Sequence, residues 1–433
     1  MGFGGGKGGF SLLADDRGAA NPFLALVMEI DTTQTGSATN TFILPCDNVG
    51  TYNALIEWGD GSFSTITSFN DADLTHVYSI NGIYSIRITG SLPHIRFNDV
   101  GDKEKVLDIK QWGLQTEWLS FSQSFFGCSN LEVTASDTPK LSSVTTLNSM
   151  FRECTSLTGA TANWDWDTSN ILNMDQLFRD TAIGSIGIEN WDVANANDFR
   201  NMFRLCSTFN TDISGWDVSG VSQFNAMFNG ATIFNQPIGA WTTTSMTNIG
   251  NMLAVATAFD QDLSNWDTSL VTTANDTFRG GIFDQDISSW DVSNVATFNN
   301  FLLTTPFSTA NYDLLLVAWN ALTLQNGVPF TANLTQYTAG IVDSGTTDGT
   351  TALKLVDSTQ NFLTTVSMGD VVNNQTDNAY AIVTNVDSDT VLSISVDIMV
   401  TGKVYTIETS AVAQAKANMS ISDAWVFNDG GPI

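Results

Sequence analysis

Two columns of aspartates are the first candidates for chemistry. Asp192, Asp217, Asp267 and Asp291 each follow a tryptophan, and Asp262 and Asp286 form a second, shorter column. Glycoside hydrolysis needs two carboxyls at a set separation, one to donate a proton and one to attack or to activate water. A column that repeats has no unique pair, however, and nothing nominates one acid to hold a proton at neutral pH. The simpler task for such an Asp is to accept backbone N–H bonds within its own turn. That reading explains the recurrence without catalysis and is favoured here.

Other reactive side chains are sparse. His76 and His94 are the only histidines, which leaves a histidine-rich metal site or a Cys–His nucleophile without support. His76 reads as a packed or hydrogen-bonded strand residue, and His94, just beyond a proline, reads the same way. Asp60, in the turn WGDG, is expected to cap backbone amides rather than to bind calcium. Cys46, Cys128, Cys154 and Cys206 form no CxxC pair. Three of them recur at related places, where a small buried residue fits, and a Cys128–Cys154 disulfide is not favoured. No Walker loop, dinucleotide fingerprint, GxSxG elbow or HExxH segment occurs. The chain is therefore read as no enzyme, with no catalytic, cofactor-binding or metal-ligating residue assigned. Calcium at the stacked surface carboxylates is the one ion that the sequence leaves open, and it would raise the melting temperature at low ionic strength.

The elements that position these residues follow a period of about twenty-five. Trp166, Trp191, Trp216, Trp241, Trp266 and Trp290 are separated by 25, 25, 25, 25 and 24 residues. Twelve positions after each stands an apolar residue: Phe178, Phe203, Phe228, Leu253, Phe278 and Leu302. Phe126 and Phe151 extend this second row backward. A third row holds Leu157, Phe209, Phe234, Phe259 and Phe283, and a fourth Ile188, Ile213, Ile238, Leu263 and Ile287. No period of 3.6 or 2 runs through a unit, so each is a coil with a short strand, a short helical turn and tight connections. One coil cannot bury its own apolar face; stacked coils place like residues above one another and share a core. Asn201, Asn225, Asn251 and Asn275, two or three positions before the second row, suit side-chain bonds to the backbone within the coil.

The units containing WDVSGV (216–221), AMFNGATIFNQPI (226–238), FDQDLSNWDTS (259–269) and FDQDISSWDVSNV (283–295) resemble the leucine-rich repeats of BspA-like bacterial surface proteins. That resemblance implies a solenoid scaffold, and scaffolds of this kind fix no particular function. Upstream, WGDG (58–61), THVY (75–78) and GIYSIRITG (82–90) resemble a PKD-like immunoglobulin sandwich. Downstream, NYDLLLVAWNALTLQNGVPFTANLTQYTAG (311–340) resembles the closing segment of the repeat family, with Tyr312, Leu315, Trp319 and Leu324 on a helical cap. The expected ending, AVAQAKANMSISDAWVFNDGG, is displaced to 411–431. The strand-like residues between look like a domain inserted into the cap. Their GTTDGTT, LVDSTQNF and VSMGDVV segments resemble structural proteins of marine tailed phages.

The expected fold class is mainly β with short helical turns. Its parts are a Gly-rich anchor segment (1–22), a PKD-like β-sandwich (23–110), a leucine-rich-repeat solenoid with its cap helix (111–340), an inserted small β-domain (341–409) and the end of the cap (410–433). A net charge of -29, from 45 acidic against 16 basic side chains, argues against nucleic acid, whose backbone binds clustered Lys and Arg. No run of about twenty apolar residues offers a membrane-inserted helix, and the N-terminus lacks the features of a secretory signal. The resemblance of the inserted segment to phage proteins implies an externally exposed virion protein of a tailed phage, on capsid or tail, for which no export signal is needed. It would be multicopy or homo-oligomeric, held to other virion proteins by residues 1–22 and adhering to host surface glycan or protein. The alternatives are a BspA-like adhesin on a bacterial cell surface and a tail-spike polysaccharide depolymerase.

Overall fold

Strands and tight turns dominate the computed structural model, which describes residues 25–114 and 118–432. The segment expected to be an anchor, 1–22, lies outside the described residues. The described chain is mainly β with few helices. It divides into two units, Met1–Ala196 with Met202–Thr211, and Asn197–Asn201 with Asp212–Ile433.

In the first unit, β1 (Leu26–Asp31), β3 (Asn53–Glu57), β4 (Phe63–Ile66), β6 (Ile83–Ser91), β7 (Val106–Gln111) and β8 (Glu132–Val133) form one sheet in the order β4-β3-β6-β1-β7-β8. A second, two-stranded sheet pairs β2 (Thr41–Ile43) with β5 (Thr75–Val77). Strand β3 buries alternate residues, Ala54 and Ile56, as a period of two requires. The sheet does not stop at residue 110. β7 pairs in parallel with β8, Asp108 opposite Glu132, so it continues into the first coil.

Coils in this unit are slightly longer than the later ones, and this moves one row. The buried ring in the first coil is Phe125, stacked 5.8 Å from Phe151, while Phe126 is half-buried. Its amide bonds to Met150 O at 2.9 Å, the register that the deeper residue must hold. The row therefore runs through Phe125 rather than Phe126.

The coils of the second unit share one hydrogen-bonding scheme. The amides of Phe224, Ala226, Phe228 and Gly230 bond to the carbonyls of Asn248, Gly250, Met252 and Ala254 in the next coil. Ile249, Asn251, Leu253 and Val255 repeat the pattern onto Thr273, Asn275, Thr277 and Arg279. The residues between donate back within their own coil, as Met227 does to Phe224 and Asn229 to Ala226. This alternation places two left-handed residues in each coil: Ala226 and Gly230, Asn251 and Val255, Asp276 and Gly280, Asn300 and Thr304. Val255 and Thr304 adopt it despite β-branching, which disfavours positive φ. Where short strands were expected there are single-residue parallel bridges, Asp198–Gln223–Asn248–Thr273–Thr297, and an expected short helical turn forms at Ile238–Ala240. The four asparagines do not form one column. Asn201 and Asn251 are left-handed residues, whereas Asn225 and Asn275 precede that position. The Oδ1 of Asn275 accepts from Asn299 N at 2.8 Å in the following coil, not within its own.

The last coil is closed by α1 (Thr309–Trp319), which buries Tyr312, Leu315, Leu316 and Trp319. Leu324 is buried too, but in the turns that follow the helix. β9 (Pro329–Ala332) pairs in parallel with β16 (Val426–Asp429), Phe330 opposite Phe427, although some hundred residues separate them in sequence. Between them lies a six-stranded sheet, β10 (Ile341–Thr346), β15 (Val404–Glu408), β12 (Val371–Asn374), β13 (Ala379–Ser388), β14 (Val391–Ile394) and β11 (Lys354–Val356), with α2 (Phe362–Thr365). It has a core of its own around Leu355, Phe362, Val372, Leu392, Tyr405 and Ile407. The chain returns through α3 (Ala411–Ser422), which packs on α1.

Candidate functional site

The aspartate columns are built into turns. Asp217 Oδ1 accepts from Ser219 N at 3.1 Å, and Asp192, Asp267 and Asp291 hold the equivalent amide. Asp212, Asp262 and Asp286 do the same in the second column. The Ser219 and Ser269 hydroxyls and amides hold Asp217 and Asp267 below the usual carboxylate range; Ser214 and Ser264 act likewise on Asp212 and Asp262. Depressed folded values mean that this stabilisation is complete above the unfolded pKa of about 3.9. It is lost as pH falls through the folded values. A variant with Asn at 212, 217, 262 and 267 is expected to melt below the wild type at neutral pH. The gap should close as pH falls from the unfolded carboxylate range through the lowered folded values; a gap independent of pH in thermal melts would contradict the assignment.

The tryptophan row is a structural device as well. Trp241, Trp266 and Trp290 are buried, and each Nε1–H donates to a carbonyl of the preceding coil: Ile213 at 3.1 Å, Ile238 at 3.0 Å and Leu263 at 3.0 Å. The residue after each third-row phenylalanine links successive coils. Asn235 Oδ1 accepts from Asp260 N and Gln261 Nε2, Asp260 Oδ1 from Asp284 N and Gln285 Nε2, and Asp284 Oδ1 from Ser308 N and Asn311 Nδ2. The last rung thereby meets the start of α1. Sequence reasoning quoted this FNQ/FDQ element but gave it no role.

Asp60 accepts from Ser62 N at 3.0 Å and lies 2.9 Å from His76 Nε2. Burial opposes its ionisation but is outweighed by the Ser62 hydroxyl and His76, which bring its pKa to about 2. His76 is stacked on Trp58 at 4.8 Å. His94 is buried, bonds to Ser122 O at 2.9 Å, and is pushed toward the neutral form by burial. Cys128, Cys154 and Cys206 are buried free thiols whose pKa burial raises, and the last two donate to Phe125 O and Phe178 O. Among the described residues, no three His, Cys, Asp or Glu side chains converge as a metal ion would need, and no helix is long and apolar enough to cross a membrane.

Two clusters were missed from the sequence. In the first unit, Arg152, Arg179 and Arg204 follow the second-row phenylalanines of three successive coils, with Glu153 N bonded to Arg179 O and Asp180 N to Arg204 O. Arg152 lies over the Phe126 ring at 4.3 Å and pairs with Glu153 at 3.0 Å. Among the described residues, Arg179 bonds only to Gln176 Oε1 and Arg204 makes no side-chain bond; the Nε of both is buried and unsatisfied. Burial and then the neighbouring Arg152 and Arg204 lower the pKa of Arg179. The repeated MFR, LFR and MFR of the sequence would have revealed this column.

The second cluster is buried in the second unit. Lys416 of α3 is 1% exposed, and its Nζ lies 2.6 Å from Oδ2 of Asp429 at the end of β16, itself 5% exposed. The rings of Tyr337, Tyr380 and Phe427 enclose the amine at 4.1, 5.3 and 5.3 Å. Tyr312 O–H donates to Asp429 Oδ2 at 2.8 Å and Gly431 N–H to Oδ1 at 3.2 Å. Glu408, wholly buried, accepts from Tyr337 O–H at 2.9 Å, Asn373 Nδ2 at 2.9 Å and Thr406 Oγ1 at 2.6 Å. Burial pushes the Lys416 pKa down, against the pull of Asp429 and Glu408. A cavity of about 580 Å³ borders the cluster, with Asn373, Gln375, Tyr380, Lys416 and Asp429 in its wall. No sequence pattern marks these residues, which come from α1, β12, β13, β15, α3, β16 and the segments that follow β9 and β16.

No curated protein and no solved structure matches the chain. Three overlapping stretches, 119–236, 161–263 and 232–337, match one family, and together they span just over half of the residues. They cover the stacked coils and the helix that closes them, and the chain belongs to that family, described as "Mycoplasma protein of unknown function, DUF285".

Proposed function

We propose that the stacked coils are a leucine-rich-repeat-type solenoid, preceded by a PKD-like sandwich and carrying an inserted β-domain in its cap. In this reading the protein is a non-enzymatic adhesion protein, exposed on the virion of a tailed phage and held there by its N-terminal segment. Its partner is an acidic glycan of the host surface. The observation that carries the reading is the arginine column. In a chain of net charge -29, Arg179 and Arg204 on adjacent coils form no close ion pair with a carboxylate among the described residues, and Glu153 and Asp180 act on Arg179 only through space. A row of cations at the coil spacing suits a polymer with regularly spaced anions, and stacked guanidinium groups recognise carboxylates and sulfates well. The remote acidic charges are screened beyond about 8 Å at physiological salt, so the column acts locally. Weak contacts repeated over many copies supply avidity. The turn aspartates, engaged by amides, favour binding over the depolymerase alternative.

Retention of the full chain on immobilised polygalacturonate, with neutral dextran and single-stranded DNA as comparisons, tests the ligand. Wild type should be held by the acidic glycan and released by salt, and Arg179→Glu with Arg204→Glu should weaken retention about tenfold or more. No retention, or retention indifferent to the two substitutions, would refute the reading; stronger retention on DNA would replace the glycan with nucleic acid. Imaging intact particles by electron cryomicroscopy separates a virion location from a bacterial cell surface.

A further inference from the structure

We infer that Lys416 and Asp429 condense spontaneously into an intramolecular isopeptide bond that covalently joins α3 to β16. Three geometric features carry this. The amine and the carboxyl are in contact at 2.6 Å and almost wholly buried. Aromatic rings enclose the amine, so water competes poorly for either group. A second wholly buried carboxylate, Glu408, acts electrostatically on the same amine and is fixed by three hydrogen bonds, one of them from Tyr337, whose ring covers the amine. A second buried carboxylate acting on one lysine exceeds what a simple ion pair requires. Burial, which lowers the Lys416 pKa, works in the same direction by favouring the nucleophilic free amine.

The atoms balance without any co-reactant. One proton crosses the existing hydrogen bond from Nζ to Asp429 Oδ2, leaving a neutral amine beside a carboxylic acid. The Nζ lone pair attacks Cγ while Gly431 N–H holds Oδ1 as negative charge develops there. Glu408 takes a second proton from the nitrogen and returns it to Oδ2, which Tyr312 O–H already contacts. The Cγ–Oδ2 bond breaks, one water leaves through the adjoining cavity, and the amide remains. Glu408 acts as the proton carrier and Tyr312 as a positioning residue for the departing oxygen.

Purified full-length protein, analysed by intact mass and by proteolytic peptide mapping under denaturing conditions, tests this directly. The expected result is a mass one water below that of the sequence, with the Lys416 and Asp429 peptides recovered as one branched species. Lys416→Arg should restore the full mass. Glu408→Gln should leave a folded chain with the two peptides mostly separate. Asp429→Asn should still cross-link, but with loss of ammonia. Wild-type protein with native circular dichroism whose Lys416 and Asp429 peptides are fully separate after prolonged incubation would overturn the inference, and so would a Glu408→Gln variant that cross-links as fast as wild type. Neither result bears on the glycan reading, which rests on other residues.

Discussion

Asp102→Ala is expected to destabilise the N-terminal β-unit by about 3–5 kcal/mol, the usual result of leaving a buried charge without its partner. Asp102 and Lys105 are both fully buried and 3.2 Å apart. The lysine also donates to Thr41 O at 2.8 Å, Ala38 O at 3.2 Å and Ser37 Oγ at 2.9 Å. The carboxylate accepts from Ser37 N at 2.5 Å and Ile43 N at 2.7 Å. The pair thus pins the loop that leads into β2, and a Cβ on Gly36 would sit 2.3 Å from Asp102 Oδ1. Removing both charges, as in Asp102→Leu with Lys105→Met, should recover only part of the loss. Replacing an ion pair by apolar groups is often neutral, but here two backbone amides would lose their acceptor, at about 1–3 kcal/mol each. Thermal melts of the single and double variants measure this, and a double variant as stable as wild type would show that the amides find other acceptors.

Trp266→Ala is the second large effect, at about 3–5 kcal/mol for a buried aromatic removed from a packed core. Trp266 stacks 6.5 Å from Trp241 and 6.1 Å from Trp290. Trp266→Phe separates packing from hydrogen bonding, because it keeps a ring but removes the indole donor to the Ile238 carbonyl, which retains Trp241 N–H at 3.2 Å. A loss of about 0.5–1.5 kcal/mol, the net worth of one hydrogen bond, is expected. Denaturant unfolding followed by far-UV circular dichroism gives both values. A Phe variant equal to wild type would mean that water replaces the indole N–H.

The repeat was legible in the sequence because stacking rewards identity at one position in every coil. The Trp, Phe and Ile rows, and the turn role of the aspartates, could be read before any coordinates. Legibility failed where spacing drifted. With Phe125 and Phe126 adjacent and the early coils longer, a fixed period selected the wrong ring. It failed for the asparagines because two neighbouring positions, one left-handed and one not, both accept Asn. It failed most completely at the Lys416 cluster, whose members Tyr337, Asn373, Glu408 and Asp429 are brought together by the return of the chain beside β9. Such a cluster is a product of topology, and no local pattern announces it.

The alternating amide scheme of the second unit also bears on how such proteins vary. Ala226, Phe228 and Gly230 present to the next coil the same donors that Asn251, Leu253 and Val255 present to the one after. Asn235 and Asp260 offer interchangeable acceptors in the same way. Each coil therefore has matching upper and lower faces, like a coupling with a plug on one side and its socket on the other. Unique chemistry is confined to the closing pieces, where Leu302 N finds Thr331 O and Asp284 meets Ser308. Copy number is consequently a free variable of this architecture: a coil gained or lost by unequal recombination leaves the repeated junctions chemically alike, while the stack of coils grows or shrinks by one step.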